Sequence, residues 1–450
     1  MVSPGSEDDG CTSDGNSSAV SSAVEVRPHC SSWQSALRAC SRALEPGLLR
    51  VILPCAGWDA PCQALQAMQI PHVVVGAWET NEDCRPVLKK VHGIKPSANL
   101  PSQFHIGRTG DVTRVQLDSL PDADLLVSGP PCPPFSRIGK GGLFSDPRSD
   151  VLMKVLRWIR HLAQKSLRCF VLENVMGMLC RPKAGGKSQA TLGGKSPAEW
   201  VIDHLQAKLG NWRIECIKLD SACTAQHRKR VYIVGYRCGQ LKNAVIPSPP
   251  RLPLQTLSDI VRWDRPNTAL ASLSAGQRSN LRKYKRRLLQ EVHDGKRRGG
   301  DDTIVALEID RNPDRKWGIR VCRDHRCMCL RAGHDKIFLL SLGGQNPRVQ
   351  RLMLPEEGAA VQGMSPALLP KDFTRRRIFK GLGNAMTVPV VGQAIYMSLM
   401  GVQTARCHTG DGDRDVRSDS EDSSSGISSS SGEALASLSS DAMSTGSSSS

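Results

Sequence analysis

Ser128-Gly-Pro-Pro-Cys-Pro-Pro-Phe-Ser-Arg-Ile-Gly139 follows directly on the short apolar run Ala123-Asp-Leu-Leu-Val127. Consecutive prolines cannot donate to a sheet ladder, so the run reads as a buried strand whose chain turns out into a loop at its carboxyl end. Cys132 therefore stands at a strand tip, where open α/β sheets place their ligands. The residues after it, Lys140-Gly-Gly-Leu-Phe-Ser-Asp-Pro-Arg148, combine glycine hinges with cationic ends, the composition of a loop that closes over a substrate. An isolated Pro-Cys is more often a small buried thiol in a turn. The flanking motifs favour the other reading, a nucleophile held on a rigid strand tip.

Upstream, Leu48-Leu-Arg-Val-Ile-Leu-Pro-Cys-Ala-Gly57 is an apolar run that ends in a glycine turn. Ala60 to Met68 then shows helical spacing, with Pro61 in the first turn. Strand, turn and helix make the opening unit of a nucleotide-type α/β sheet. His72 to Glu79 is a second buried strand ending in an acid, after which Asn81 caps a helix reaching about Val91. Such an acid is placed to hydrogen-bond a ribose diol, which makes Glu79 a candidate ribose ligand against a plain capping role. Downstream, Val151 to Ala163 is an amphipathic helix, and the strand from Arg168 to Val175 delivers Glu173 to the sheet edge that carries Cys132. A helix from Pro197 and a strand from Trp212 follow. Gln226-His-Arg-Lys-Arg230 leads into the last strand, Val231 to Tyr236. Alternate residues of a strand share a face, so Arg228 and Arg230 converge on one site unless the run is a solvated edge.

In order, Gly129-Pro-Pro-Cys-Pro-Pro-Phe-Ser136, Glu173-Asn-Val175, Gln226-His-Arg-Lys-Arg230 and Gly383-Asn-Ala-Met-Thr-Val388 resemble the C5-cytosine DNA methyltransferase family, from roughly Leu48 to Met400. The resemblance implies a Rossmann-like, S-adenosylmethionine-dependent α/β sheet with a smaller inserted target-recognition domain. It implies Cys132 as nucleophile on carbon 6 of cytosine, Glu173 as the group at ring nitrogen 3, Arg230 at the ring oxygen, and Arg228 orienting a loop or a phosphate. It also implies cofactor contacts from Cys55, Gly57 and Glu79, adenine contacts from Asp111 and Val112, and Asn384 closing the pocket. Asp111 competes with a turn-forming role. The family writes its first turn with a Phe and three glycines; here Cys55 takes the Phe position, while Asp59 and Ala60 take later glycine positions. Arg351 to Met364 resembles the family's returning helix, with Leu354 and Ala360 where Thr and Arg are usual.

The chain has 450 residues, of which 39% are hydrophobic and 4% aromatic, so a good part of the length is expected to be tail. The expected division is a disordered Ser-rich segment over 1–45 and a first catalytic part over 46–246. A nucleic-acid-binding insertion over 247–350, a return over 351–402 and a disordered Ser-rich tail over 403–450 complete it. Sixty Lys and Arg against 43 Asp and Glu leave a charge of +17, which favours a polyanionic partner. The cationic helical segment Leu281 to Gln290, with Tyr284 among its charges, and Gly295-Lys-Arg-Arg-Gly-Gly300 after it suit phosphate contact, against a plain solvated helix. DNA is the expected partner and RNA the alternative, with no membrane contact and a monomeric, intracellular and nuclear protein. Sixteen cysteines without a secretory pattern read as reduced thiols. Cys322, His325, Cys327, Cys329 and His334 crowd together, but the spacing is not that of paired Cys-x-x-Cys ligands and no metal is assigned. Two rivals stand beside a DNA cytosine-5 methyltransferase: a tRNA cytosine-5 methyltransferase with the same residues, and a catalytically silent nucleic-acid-binding relative.

Overall fold

The computed structural model describes residues 32–135, 143–181, 192–239, 241, 244–315, 321–343 and 347–409. Short apolar runs form five parallel strands: β1 (Leu49–Pro54), β2 (His72–Glu79), β3 (Phe104–Ile106), β4 (Leu125–Ser128) and β5 (Cys169–Val175). β6 (Trp212–Asp220) pairs antiparallel with β8 (Lys229–Arg237), which pairs antiparallel with β5; β7 (Gln226–His227) precedes β8. The sheet order is β3-β2-β1-β4-β5-β8-β6. The chain steps outward from β1 on one side and from β4 on the other. The carboxyl ends of β1 and β4 thus flank a topological switch point, where a crevice opens.

Both faces are covered, because the central strands alternate between two apolar layers. Val51, Leu53, Leu125 and Val127 face a layer with α1 (Ser32–Ser41), α2 (Ala60–Met68), α3 (Arg85–Val91) and the long C-terminal α9 (Val388–Thr409). Ile52, Leu126 and Phe170 face α4 (Ser149–Ala163) and α5 (Pro197–Gln206). α9 is long and apolar enough to cross a membrane, but 83% of its apolar stretch is buried inside the protein, which makes it a core helix.

The inserted segment builds its own antiparallel sheet from β9 (Gly300–Glu308), β11 (Ile337–Leu342) and β12 (Gln350–Leu352), in the order β12-β11-β9. α6 (Ala275–His293) lays Leu281, Tyr284 and Leu288 on it. A two-residue strand, β10 (Cys327–Met328), pairs in parallel with β7 and joins the insertion to the catalytic sheet beside Arg228. On the return, α7 (Pro355–Val361) starts at Leu354, which has no polar side chain to cap it. Glu357 takes over, accepting from Leu354 N at 2.7 Å while buried against Arg351 at 2.6 and 2.8 Å. α8 (Arg375–Asn384) then leads to α9.

Several sequence expectations need correction. The segment expected to be disordered to residue 45 contains α1, with Trp33 and Leu37 buried against α2 and α9. Tyr284, placed from the sequence among the phosphate-contacting cations, is buried and serves the core of the insertion. Gly383 to Val390 reads in sequence as the opening of the final helix, but Gly383 and Asn384 close α8 and the final helix begins four residues later. Of the expected closing loop, residues 140–142 lie outside the described residues, as do residues 136–139 before it. Its described end is tied down: Ser149 Oγ donates to Leu143 O at 2.5 Å and Phe144 packs on Phe135 and Trp200.

Candidate active site

The carboxyl ends of β1, β2, β4 and β5 surround an open cavity of about 360 Å³. All ten residues selected from the sequence line it: Cys55, Gly57, Glu79, Asp111, Val112, Cys132, Glu173, Arg228, Arg230 and Asn384. That volume lies at the lower end of the range of small-molecule sites.

Cys132 follows β4 in a tight turn, with Phe135 N donating to Cys132 O at 3.0 Å. Asn174 braces this turn: its Nδ2 donates to Pro130 O at 3.3 Å while Val175 N donates to its Oδ1 at 2.9 Å. Glu173, one residue earlier on β5, lies close behind Gly129, where a Cβ would come within 3.5 Å of its Oε2. Cys132 has an exposed surface, yet the surrounding protein and the Glu173 carboxylate raise its thiol pKa, with Arg230 and Arg228 opposing the shift.

Arg230 Nε stands 3.1 Å from Glu173 Oε1. Burial disfavours the guanidinium charge, but the Glu173 carboxylate together with Cys329 and Tyr232 outweighs it and holds Arg230 above its ordinary value. Its other nitrogens reach Lys229 O at 2.9 Å and Cys329 Sγ at 3.6 Å. Arg228 behaves differently. At 3% exposure, it donates to Leu330 O (2.9 Å), Gly383 O (3.2 Å) and Ala385 O (2.8 Å), so its guanidinium pins the insertion and α8 to the sheet and is not free for a phosphate.

On the opposite side, Glu79 accepts from Gly57 N at 2.9 Å and from Asn81 N at 2.8 Å. Burial raises its carboxyl pKa and these backbone donors pull it back. Cys55 stands in a left-handed backbone conformation, φ 62°, and burial pushes its thiol up to about 12. Asp111 Oδ1 accepts from Thr113 Oγ1 at 2.7 Å and from Thr113 N at 3.0 Å, which holds its carboxyl below the usual range.

The cysteine and histidine group of the insertion disperses. Cys329 goes to the two arginines, His334 to Arg331 and Glu308, and Cys327 is buried beside Met328. Cys322 instead meets His227 and Asp324, where Arg326 already neutralises Asp324 at 2.6 Å. Sequence reasoning missed Asn174, Cys329 and Trp58. Asn174 was visible inside Glu-Asn-Val; Trp58, beside Gly57, carried the signal of its neighbour; Cys329 stood out only within the Cys and His group, and its contact with the two arginines depends on a strand pairing about a hundred residues apart in sequence.

The sheet order and the cluster at its rim are those of an α/β methyltransferase. A family model for the C-5 cytosine-specific DNA methylases matches residues 97–399, and the chain belongs to that family. The type II methyltransferase M.HpaII of Haemophilus parainfluenzae is 27% identical over 293 residues, 63% of this chain and 74% of that protein. M.BsuFI of Bacillus subtilis is 31% identical over 127 residues, 28% of each chain. The chain spans 28% of M.BsuFI and 40% of the orphan methyltransferase M.SPRI of Bacillus phage SPR. Among solved structures, the methyltransferase EhMeth of Entamoeba histolytica matches with a TM-score of 0.50 and 14% identity, over 78% of this chain and 98% of that one, a likeness of fold.

Proposed function

We propose that this protein transfers a methyl group from S-adenosylmethionine to carbon 5 of cytosine in DNA. The observation that carries the reading is that one cavity is lined both by Cys132, Glu173 and Arg230 and by the Gly57, Glu79 and Asp111 turns. The family description and the charge of +17 favour DNA as the substrate.

Carbon 5 of cytosine is too weak a nucleophile to take a methyl group unaided. Cys132 Sγ, as thiolate, bonds to carbon 6 and turns the ring into an enamine. Electron density moves to ring nitrogen 3, where the Glu173 carboxyl group hydrogen-bonds and stabilises the adduct. Arg230, held by Glu173, reaches the ring oxygen at position 2. S-adenosylmethionine supplies an electrophilic methyl on a sulfonium centre when bound. After transfer, loss of the carbon 5 proton expels Cys132 and restores the thiol. The target base must leave the duplex stack to meet Cys132.

The residues present fit that donor. Glu79 keeps free lone pairs for a diol after accepting two backbone N–H groups. In the same wall, the Trp58 indole N–H is buried without a partner. The experiment is covalent trapping on duplexes carrying 5-fluorocytosine with S-adenosylmethionine present. The wild-type chain is expected to form a complex that survives denaturation, and Cys132→Ala none. Crosslinking by Cys132→Ala overturns the nucleophile, and trapping on tRNA but not on duplex DNA overturns the substrate.

A further inference from the structure

The donor's sulfonium carries three branches, and the cavity wall has assigned places for two of them. The methyl must face Cys132 and Glu173, and the nucleoside falls to Glu79, Asp111 and Val112. The rest of the wall includes Gly57 and Trp58, with Gly381 packed against the Trp58 ring and Gly383 and Asn384 beyond it. The third branch is a zwitterionic amino-acid end with a carboxylate, which needs a donor.

Trp58 has 3% of its surface exposed, lines the cavity, and holds a buried Nε1 with no hydrogen-bond partner. A buried N–H left unpaired is costly, so such groups in native proteins call for a ligand or a water. Its Nε1 edge lies against the backbone of Gly381, itself a wall residue: a Cβ there would stand 2.8 Å from Nε1 and 2.1 Å from Cζ2. Trp158 also has an unpaired Nε1, but it is fully buried in an apolar cluster away from the cavity. Trp263, outside the cavity, donates to Ser258 O at 3.3 Å.

Asp59, next in sequence, is fully buried and engaged with His92 Nε2 at 2.6 Å and Cys62 N at 3.1 Å, so it does not line the cavity. Around the wall residue Cys84, Glu79 and Asp83 disfavour a further anion and Lys380 on α8 opposes them. Gly381 and Gly383 bring the α8 backbone close without side chains.

We propose that the Trp58 indole N–H donates to the carboxylate of the methyl donor's amino-acid end, which makes Trp58 a cofactor-binding residue. The assignment rests on the cavity being the S-adenosylmethionine site. It is tested by calorimetry on the full chain with two ligands, S-adenosylmethionine and its decarboxylated analogue, using the wild type and Trp58→Phe. Phenylalanine keeps an aromatic ring and removes the N–H. The wild type is expected to bind S-adenosylmethionine at least about tenfold more tightly than the analogue, as loss of a hydrogen bond to a charged group implies. Trp58→Phe is expected to lose about that factor for S-adenosylmethionine and to bind the analogue as the wild type does. Equal loss for both ligands, or no loss, overturns the assignment and leaves the cofactor reading standing. Equal affinity of the wild type for both ligands overturns it without any variant. Failure of the wild type to bind either ligand overturns the cofactor reading together with this one.

Discussion

Cys132 and Glu173 share a wall, and their mutual influence has a sign that can be measured. Burial and the Glu173 carboxylate hold the Cys132 thiol above the ordinary thiol value of about 8.5, so at neutral pH the group is mainly the unreactive thiol. Alkylation of Cys132 by iodoacetamide, followed by mass spectrometry, is therefore expected to rise about tenfold per pH unit through neutrality and to level off only above about pH 8.5. Glu173→Gln removes the raising charge and is expected to move the midpoint down; a midpoint that moves up contradicts the electrostatic account. Arg228 supports a different prediction. Its guanidinium satisfies three carbonyls from two distant segments, and Arg228→Ala leaves those acceptors buried at roughly 1–3 kcal/mol each. Denaturant unfolding should show a loss of at least about 3 kcal/mol, whereas a purely ligand-binding arginine would leave stability unchanged. Cys132 and Glu173 were legible because a strand end is written in adjacent residues. The different tasks of Arg228 and Arg230 were not, since a two-residue spacing gives a common face but not what each side chain meets there.

Helix α1 shows why one element escaped the sequence. Ten residues with only two large apolar side chains, Trp33 and Leu37, make a helix too short to persist alone in water. It exists because both side chains bury against α2 and α9, and α9 lies more than 300 residues further along the chain. Gly392 permits the approach, as a Cβ there would stand 2.7 Å from Leu37 Cδ2. Trp33→Ala is expected to cost about 3–5 kcal/mol of docking and to release α1 as a unit. Hydrogen exchange should then show residues 32–41 exchanging rapidly while β1 and β4 stay protected; uniform loss of protection would instead mean that α1 is integral to global stability. The parallel strands were legible for the opposite reason. Runs such as Val51-Ile-Leu53 and Leu125-Leu-Val127 are apolar on both faces because helices cover both, and that leaves a local mark. The close of α8 is also set by distant backbone. A Cβ at Gly383 would fall 2.3 Å from the main chain of Arg331 and Ala332, so Gly383→Ala should loosen the joint with the insertion and the cavity wall together.

The whole molecule carries +17, and the inserted segment presents part of it in an ordered way. α6 buries Leu281, Tyr284 and Leu288 against the small sheet, so the opposite side of the helix faces solvent. Arg282 and Arg286 stand exposed there one turn apart, while Lys283 is tied to Asp314 at 2.8 Å and Lys285 to Gln350. The sequence showed a run of cations but not this sorting, because whether a charge is used internally depends on residues about thirty to sixty-five positions away. If the exposed pair meets phosphates, its contribution is counterion release. Neutralising Z phosphates lowers log K with log salt at a slope of about −0.9 Z on duplex DNA. Arg282→Gln with Arg286→Gln is then expected to flatten the slope by roughly 1.8 and to weaken binding to specific and unrelated duplexes alike. Fluorescence anisotropy on a labelled duplex across a salt series measures both. S-adenosylmethionine affinity should not change, since neither residue lines the cavity. An unchanged slope places the DNA on another face of the molecule. A selective loss on one sequence would mean that these arginines read bases, and the phosphate-binding account of α6 would have to be abandoned.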